Sequence, residues 1–171
     1  MRIAVGSDEK TPLTDAVVAA LTADGHELSL LGPLIAGDTT EWAEVGGQLG
    51  RRVAAGECEE GVLFCWSGTG ASIAATKVSG VRAALCADPE TARMARRYNR
   101  ANVLVMSLRS TSPAVAEEIL AAWFEEPPPA DDFDRRNIAS VSYTHLRAHE
   151  TGSGISESVI CLKKGGGGGG G

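Results

Sequence analysis

The chain has 171 residues, with 22 acidic and 16 basic side chains and a formal net charge of −6 at pH 7. This length suits one domain. The acidic balance excludes a general electrostatic attraction to nucleic acid or to an anionic membrane surface, so we expect neither as a partner. The first apolar segment, residues 2–6, is too short for a signal peptide or a membrane span. We therefore expect a cytoplasmic protein.

Strand and helix signals alternate along the chain from its beginning. The predicted strands are short apolar segments, at 2–6, 27–31, 61–65, 81–87 and 102–107. The predicted helices have apolar residues at helical spacing or a helix-start signal, and lie at about 12–23, 41–55, 72–78, 89–98 and 113–124. Three of them begin with a capping residue followed by proline, at Thr11, Asp88 and Ser112.

This alternation predicts an α/β fold. Short connections between alternating elements favour a parallel sheet covered by helices on both faces. We expect one Rossmann-like, open, doubly wound domain with a five-stranded parallel sheet. Because ligands of such sheets bind at the carboxyl ends of the strands, we expect Asp8 and Cys65 to be neighbours, with Asp88 and the segment after Ser107 at the same edge.

The last thirty residues have a different character. Residues 141–151 resemble the translated end of a transposase-library sequencing adapter, and two lysines and seven glycines end the chain. We expect residues 141–171 to be a disordered, adapter-derived tail. Residues 1–140 then form the domain, with a truncated natural C-terminus. A proline-rich acidic linker at 127–132 precedes a short segment at 133–140 that begins another predicted helix.

The cysteines and the histidine of the predicted domain limit its chemistry. The cysteines Cys58, Cys65 and Cys86 form no CxxC pair, so neither a zinc site nor a disulfide is predicted. A cysteine–histidine hydrolase needs a histidine beside the thiol. The one histidine, His26, precedes the second strand at the opposite edge of the predicted sheet. We expect it to be a surface or turn-packing residue.

The segment from residue 61 to residue 77 is the centre of the functional prediction. A buried strand ends at Cys65, a turn of small residues follows, and a helix begins. The free N–H groups and the helix dipole at such a turn stabilise an anion, and they favour a thiolate over a thiol. The structural alternative is that Cys65 is only a small buried hydrophobic residue.

Two functions need such a turn. Gly68 and Gly70, with Asp88 about 20 residues later, resemble a dinucleotide-binding fingerprint, but Ile73 stands in place of its third glycine. A nucleotide-binding domain is therefore a less favoured alternative. Aldose–ketose isomerisation needs a base that moves a proton between adjacent carbons and donors that hold an enediolate oxyanion. A thiolate beside a turn of backbone N–H groups supplies both.

These residues resemble the type B ribose-5-phosphate isomerase family, which also includes the galactose-6-phosphate isomerase subunits. The resemblance covers residues 1–140 and rests on the segments 3–8, 25–27, 65–77, 80–86, 99, 101–104 and 109. It implies a Rossmann-like fold and no metal or organic cofactor. It also implies a homodimer or homotetramer whose active site lies between two subunits.

The resemblance assigns roles to individual residues. Cys65 matches the base that transfers the enediol proton, and Ser67 stands where the family usually has a threonine hydroxyl. Asp8 matches a residue that binds substrate hydroxyls, and Asn99 matches a contact near the neighbouring subunit. The remaining matches are the anion hole and the phosphate site, namely Gly68, Thr69, Gly70, Ala71 and Ser72 for the first, and Arg109 and Arg136 for the second.

The sequence also departs from the family pattern. Glu9 replaces a histidine that helps to hold phosphate, and a carboxylate there repels a dianion. Tyr98 replaces the histidine that opens the sugar ring, and Trp66 replaces a glycine beside the thiol. With an ordinary pKa near 10, a tyrosine donates a proton but is a poor base. Structural alternatives are a solvated charge for Glu9, a packing aromatic for Tyr98 and a surface ion pair for Arg109.

We therefore expect an aldose–ketose isomerase that acts on a sugar phosphate, a pentose phosphate or a related tetrose or hexose phosphate. An open-chain substrate such as a tetrulose phosphate would not need the ring-opening histidine. In that case Glu9 could bind a hydroxyl or a cation. The alternative from another class is a non-catalytic module that binds sugar phosphates, which the missing histidines favour and Cys65 opposes.

Overall fold

The computed structural model describes residues 1–125 and 132–141. Its strands are β1 (Arg2–Ser7), β2 (Glu27–Leu31), β3 (Glu60–Cys65), β4 (Ala83–Leu85) and β5 (Val103–Ser107). Its helices are α1 (Pro12–Ala23), α2 (Trp42–Ala54), α3 (Thr69–Thr76), α4 (Pro89–Asn99), α5 (Pro113–Glu125) and α6 (132–141), with one 3-10 turn at Gly32–Leu34. The predicted linker up to residue 131 and the predicted tail after residue 141 lie outside the described residues.

The five strands form one parallel sheet in the order β2-β1-β3-β5-β4. The predicted α/β fold class is confirmed. From β1 the chain first adds β2 on one side and then crosses to β3 on the other, so a topological switch point lies between β1 and β3. In the register of these two strands Ser7 pairs with Phe64. The next residues, Asp8 and Cys65, therefore leave the sheet side by side, as expected.

Helices cover both faces of the sheet, and each face has its own apolar core. On one face α1, α4 and α5 pack against side chains such as Val62 and Phe64. On the other face α2 and α3 pack against side chains such as Leu63 and Cys65. Because successive side chains of a strand point to opposite faces, Cys65 lies on the side of α2 and α3.

All three predicted helix caps are present. The Thr11 hydroxyl accepts a hydrogen bond from the Thr14 amide, and the Asp88 carboxylate accepts one from Thr91. The Ser112 hydroxyl accepts one from Val115 at 3.3 Å. These bonds satisfy amide groups that have no acceptor within the helix. Among the described residues, no helix is both long enough and apolar enough to cross a membrane.

Two element boundaries were predicted wrongly. α3 begins at Thr69 and not near Ser72, because Gly68 takes a left-handed conformation (φ 79°) and turns the chain directly into the helix. β4 covers only residues 83–85 and not 81–87. Among the described strands it pairs with β5 alone, as an edge strand, and the Val81 amide is already used in a turn with the Val78 carbonyl.

A buried ion pair connects β3 to α4 and α5. One carboxylate oxygen of Glu60 lies 2.5 Å from the Arg96 guanidinium, and the other accepts a hydrogen bond from the Trp123 indole N–H at 2.5 Å. The guanidinium lies 5.0 Å from the centre of the Trp123 ring, within cation–π distance. Burial raises the pKa of Glu60, and its two partners oppose that shift by stabilising the carboxylate.

Candidate active site

Cys65 ends β3 at the switch point and is 6% exposed. Its backbone carbonyl accepts a hydrogen bond from the Leu108 amide at 3.0 Å. The next carbonyl, that of Trp66, accepts two more, from the Arg109 amide at 3.1 Å and the Ser107 hydroxyl at 2.9 Å. The main chain after the thiol is therefore fixed to the segment that follows β5. Sequence reasoning missed the anchoring role of Ser107, because only the strand pairing shows it.

The first turn of α3 directs backbone N–H groups at the carboxyl edge of the sheet. Its first helical hydrogen bond runs from the Ser72 amide to the Gly68 carbonyl at 3.1 Å. The amides of Thr69, Gly70 and Ala71 precede that bond and have no acceptor within the helix. We call these three residues the amide turn. Ser72 was predicted to belong to the anion-binding loop, but its N–H group is used inside the helix.

Hydroxyl groups flank the amide turn on its solvent side. The Ser67 and Thr69 hydroxyl oxygens lie 2.7 Å apart, and both residues are exposed. The Ser67 hydroxyl also accepts a long hydrogen bond from the Thr69 amide, at 3.4 Å. The pair can donate hydrogen bonds to a bound oxyanion, because a hydroxyl rotates to suit its partner.

Asp8 supplies a free acceptor at the same edge. It is half-buried, and its Oδ1 atom is buried without a hydrogen-bond partner among the described residues. The turn that holds it is fixed by the Ser7 hydroxyl, which donates to the Glu9 carbonyl at 2.6 Å and accepts from the Glu9 amide at 3.2 Å. A buried acceptor without a partner is costly, so this carboxylate suits a ligand that brings a donor.

Two charged side chains lie at the same edge of the sheet as Asp8 and Cys65. Glu9 follows Asp8 and is exposed, and Arg109 follows β5 and is exposed. Arg109 forms no ion pair with any residue that the structure describes, so its guanidinium is available to an anion. The carboxyl-edge group then consists of Asp8, Glu9, Cys65, residues 67–72 and Arg109.

Tyr98 and Asn99 lie at the other edge of the sheet. α4 begins after the carboxyl end of β4 and returns beside the strands, so its eleven residues cover about 16 Å. Just after it ends, the Asn102 amide donates to the carbonyl of Arg82, which precedes β4. Tyr98 is 45% exposed, and the Arg97 guanidinium lies 5.5 Å from its ring centre.

The last predicted site residue, Arg136, lies on the same side of the molecule as Tyr98 and Asn99. It is exposed on α6, and the next residue, Asn137, lines a cavity of about 300 Å³ together with Tyr98 and Asn99. Within one chain the amino-edge group of Tyr98, Asn99 and Arg136 is therefore not brought to Cys65. The site between two subunits stays a prediction.

The other described cysteines differ from Cys65 in their surroundings. Burial raises the pKa of Cys86 to about 12, and the nearby Asp88 carboxylate adds to the shift. Burial also raises the pKa of Cys58. Both thiols are poor nucleophiles near neutral pH because little thiolate forms. His26, as predicted, packs in a turn, with its ring centre 5.3 Å from that of Phe124.

The described residues offer no metal site, since no group of three or more histidine, cysteine, aspartate or glutamate side chains could hold an ion there. The chemistry available at the carboxyl edge consists of a thiol, hydroxyls, backbone N–H groups, a carboxylate and a guanidinium. Such a set can bind an oxyanion and move a proton on the same ligand.

Comparison with known proteins places this chain in a family. The model of the family described as Ribose/Galactose Isomerase matches residues 3–141. The chain is 35% identical over 111 residues to ribose-5-phosphate isomerase B of Escherichia coli, covering 65% of this chain and 74% of that protein. It is 31% identical over 126 residues to D-erythrulose-4-phosphate isomerase of Pectobacterium atrosepticum, covering 73% of this chain and 83% of that protein.

Solved structures agree with the sequence matches. Type B ribose 5-phosphate isomerase of Trypanosoma brucei superposes with a TM-score of 0.77 at 35% identity, covering 84% of this chain and 97% of that one. Ribose-5-phosphate isomerase B of Clostridium thermocellum superposes with a TM-score of 0.79 at 27% identity, covering 86% of this chain and 99% of that one. The resemblance predicted from the sequence is confirmed. The chain is an isomerase and belongs to the ribose/galactose isomerase family.

Proposed function

We propose that the protein interconverts an aldose phosphate and the corresponding ketose phosphate through an enediolate, with Cys65 as the base. The observation that carries this proposal is the position of Cys65, which ends β3 at the switch point, directly before the turn into α3 and beside Asp8, whose Oδ1 atom has no hydrogen-bond partner among the described residues. The proposed base and the proposed oxyanion donors thus follow one another in the chain at the carboxyl end of β3.

The proposed reaction conserves all atoms of the sugar. The Cys65 thiolate removes the proton from the carbon beside the carbonyl, and the electron pair of that C–H bond forms the C–C double bond of the enediolate. The amide turn and the Ser67 hydroxyl stabilise the oxyanion that develops. The thiol then returns the proton to the adjacent carbon, and a proton moves between the two oxygens.

The ligand's other groups have candidate partners in the carboxyl-edge group. The Asp8 Oδ1 atom can accept a hydrogen bond from a sugar hydroxyl, since no described protein group donates to it. The Arg109 guanidinium can bind the phosphate, because two parallel N–H groups match two phosphate oxygens. These contacts hold the substrate so that its reacting carbon lies next to the thiol.

We further propose that the working enzyme is a homodimer in which each site takes the amino-edge group from the second chain. One chain alone leaves Tyr98 and Asn99 at the far edge of its own sheet, about 16 Å along α4 from the carboxyl edge. A symmetric pair of chains places two such groups at two sites at once. Tyr98 and Asn99 are exposed, which leaves them free for this role.

The proposed substrate class rests on one departure, at Tyr98, and on the name of one relative. A phenol is in general a less efficient acid–base catalyst near neutral pH than an imidazole, so the replacement of the ring-opening histidine by Tyr98 disfavours substrates that need ring opening. A four-carbon sugar phosphate is open-chain and needs no ring opening. The relative in Pectobacterium atrosepticum is named for such a substrate, D-erythrulose 4-phosphate. We propose a tetrose or tetrulose phosphate as the preferred substrate.

The test is proton NMR in heavy water with tetrose, pentose and hexose phosphates and their free sugars. An enediolate base leaves deuterium at C1 or C2 of the sugar that it turns over. We expect exchange with a four-carbon phosphate, loss of exchange in Cys65→Ala, and retention in Cys58→Ala, which removes a thiol at the amino edge. Full exchange in Cys65→Ala would refute the role of the thiol.

The same samples test the binding-module alternative. That alternative predicts thermal stabilisation by a sugar phosphate without any deuterium exchange. It also predicts that Cys65 is inert toward alkylating reagents, since a base must be an accessible and reactive thiol. Exchange with a free sugar as fast as with its phosphate would refute a phosphate site at Arg109.

A further inference from the structure

The short helix α3 depends on α2 for its position. It has eight residues, and isolated helices of this length are not stable in water. Among the described elements, α3 packs most extensively against α2. Its two fully buried residues, Ala71 and Ala75, share a core cluster with Val45 and Leu49 of α2. A change in α2 at this contact therefore moves α3.

At this contact the backbones of α2 and α3 approach each other closely. A Cβ atom added to Gly46 of α2 would lie 3.0 Å from the Ala71 carbonyl oxygen and 3.0 Å from the Ala74 Cβ atom. Real Cβ atoms rarely approach that closely, and a backbone carbonyl cannot move without its helix. Ala71 also contributes an N–H group to the amide turn. Gly46 therefore sets how close the amide turn lies to α2.

One helical turn earlier, Trp42 contacts the amide turn directly. A Cβ atom added to Gly70 would lie 3.0 Å from Cζ3 and 3.1 Å from Cε3 of the Trp42 ring. Trp42 and Gly46 are four residues apart and so lie on one face of α2. The ring is 43% exposed, so burial in the core does not explain why a large aromatic residue stands there. The contact of the ring with Gly70 explains the aromatic residue at this position.

We propose that Trp42 and Gly46 are positioning residues for the isomerisation. They hold the amide turn at the distance from Cys65 at which its N–H groups meet the oxyanion. This inference rests on the proposed function of the amide turn, and it adds two residues that act through the amide turn. Sequence reasoning missed both, since neither residue carries a chemical group that the reaction uses.

The first variant is Gly46→Ala. The added methyl group pushes Ala71 and Ala74 away by several tenths of an ångström, and the amide turn moves with them. Because a misplacement of 1 Å can cost about 100-fold in rate, we expect kcat to fall about tenfold. KM changes less, since Asp8 and Arg109 lie outside the displaced turn.

Gly47→Ala is the matched control on the same helix. The nearest described atoms to its added Cβ belong to the Arg51 guanidinium, at 3.2 Å, which is the far end of a flexible side chain. Both variants gain the same helix propensity, because alanine is favoured over glycine in a helix interior. We expect Gly47→Ala to raise Tm by a few degrees and to leave kcat unchanged.

A second readout does not depend on turnover. Iodoacetate carries a carboxylate that the amide turn can hold while the thiol attacks, and iodoacetamide carries none. The ratio of their alkylation rates at Cys65, followed by peptide mass spectrometry, reports the placement of the amide turn. We expect this ratio to fall several-fold in Gly46→Ala and to stay at the wild-type value in Gly47→Ala.

Trp42→Ala keeps the inference testable if Gly46→Ala does not fold. It removes the ring from Gly70 without adding an atom, and Trp42→Phe should restore most of the loss. Equal ratios in Gly46→Ala and Gly47→Ala, or a wild-type ratio no higher than that of free cysteine, would overturn the inference. Absence of turnover in the wild type would count against the proposed function alone, because the alkylation ratio still decides the role of α2.

Discussion

Gly68 is the residue whose replacement tests the amide turn most simply. It takes the left-handed conformation, with φ 79°, at the point where the chain passes from Cys65 into α3. A Cβ atom there would lie 2.5 Å from the Leu85 Cδ1 atom and 3.5 Å from the Met106 carbonyl group. Gly68→Ala therefore combines backbone strain with a displaced neighbour directly beside the site.

We expect Gly68→Ala to lower both the thermal stability and kcat. A left-handed conformation costs a residue with a side chain about 1–2 kcal/mol. Leu85 is 38% exposed and can move its side chain, so the clash adds little to the free energy of unfolding. The resulting decrease in Tm is about 3–8 °C for a domain of this size. In addition, a shift of the amide turn by several tenths of an ångström lowers kcat about tenfold.

Gly25→Ala separates the decrease in Tm from the decrease in kcat. Gly25 also has φ 79° and follows α1 at the amino edge, but no atom of the described residues lies within 4 Å of its added Cβ atom. The assay is turnover of the identified sugar phosphate, with thermal denaturation of both variants. We expect similar losses of Tm and a loss of kcat only in Gly68→Ala. Full activity in Gly68→Ala, or an equal loss in Gly25→Ala, would refute the reasoning.

Three further changes have distinct expected outcomes. Arg96→Ala leaves the buried Glu60 carboxylate without its cation and should lower the free energy of unfolding by about 3 kcal/mol, measured by urea denaturation. Glu9→His removes a negative charge from the carboxyl edge and should lower KM for a phosphorylated substrate but not for its free sugar, an effect that added salt weakens. Trp66→Gly removes an exposed indole beside the thiol and should raise kcat/KM for five-carbon relative to four-carbon phosphates. Unchanged urea midpoints, KM values or substrate ratios, respectively, would contradict these expectations.

Local signals predicted much of the fold. Thr11 with Pro12, and Asp88 with Pro89, mark helix starts through bonds that span three residues, and such bonds need no knowledge of the rest of the molecule. The neighbourhood of Asp8 and Cys65 was also predictable, because parallel strands end at one edge of the sheet. The start of α3 was not. Its first residues have weak helix propensity, and the left-handed conformation of Gly68, which turns the chain directly into the helix, does not follow from the local sequence pattern.

The division of the site between two edges lies beyond sequence reasoning of this kind. A motif match assigns Tyr98 and Asn99 to the same reaction as Cys65, but it does not say which chain supplies them. Only the course of α4 back to the amino edge separates them within one chain. The role of Trp42 was equally hidden, because its contact with Gly70 joins residues from two helices.

The most direct test of a site shared between two chains is to mix two inactive variants. Cys65→Ala lacks the proposed base, and Asn99→Ala lacks a residue of the amino-edge group. If a homodimer exchanges subunits freely, half of the dimers are mixed and each holds one intact site, so activity returns to about a quarter of the wild-type value. Activity that stays at the sum of the two variants alone would contradict the shared site.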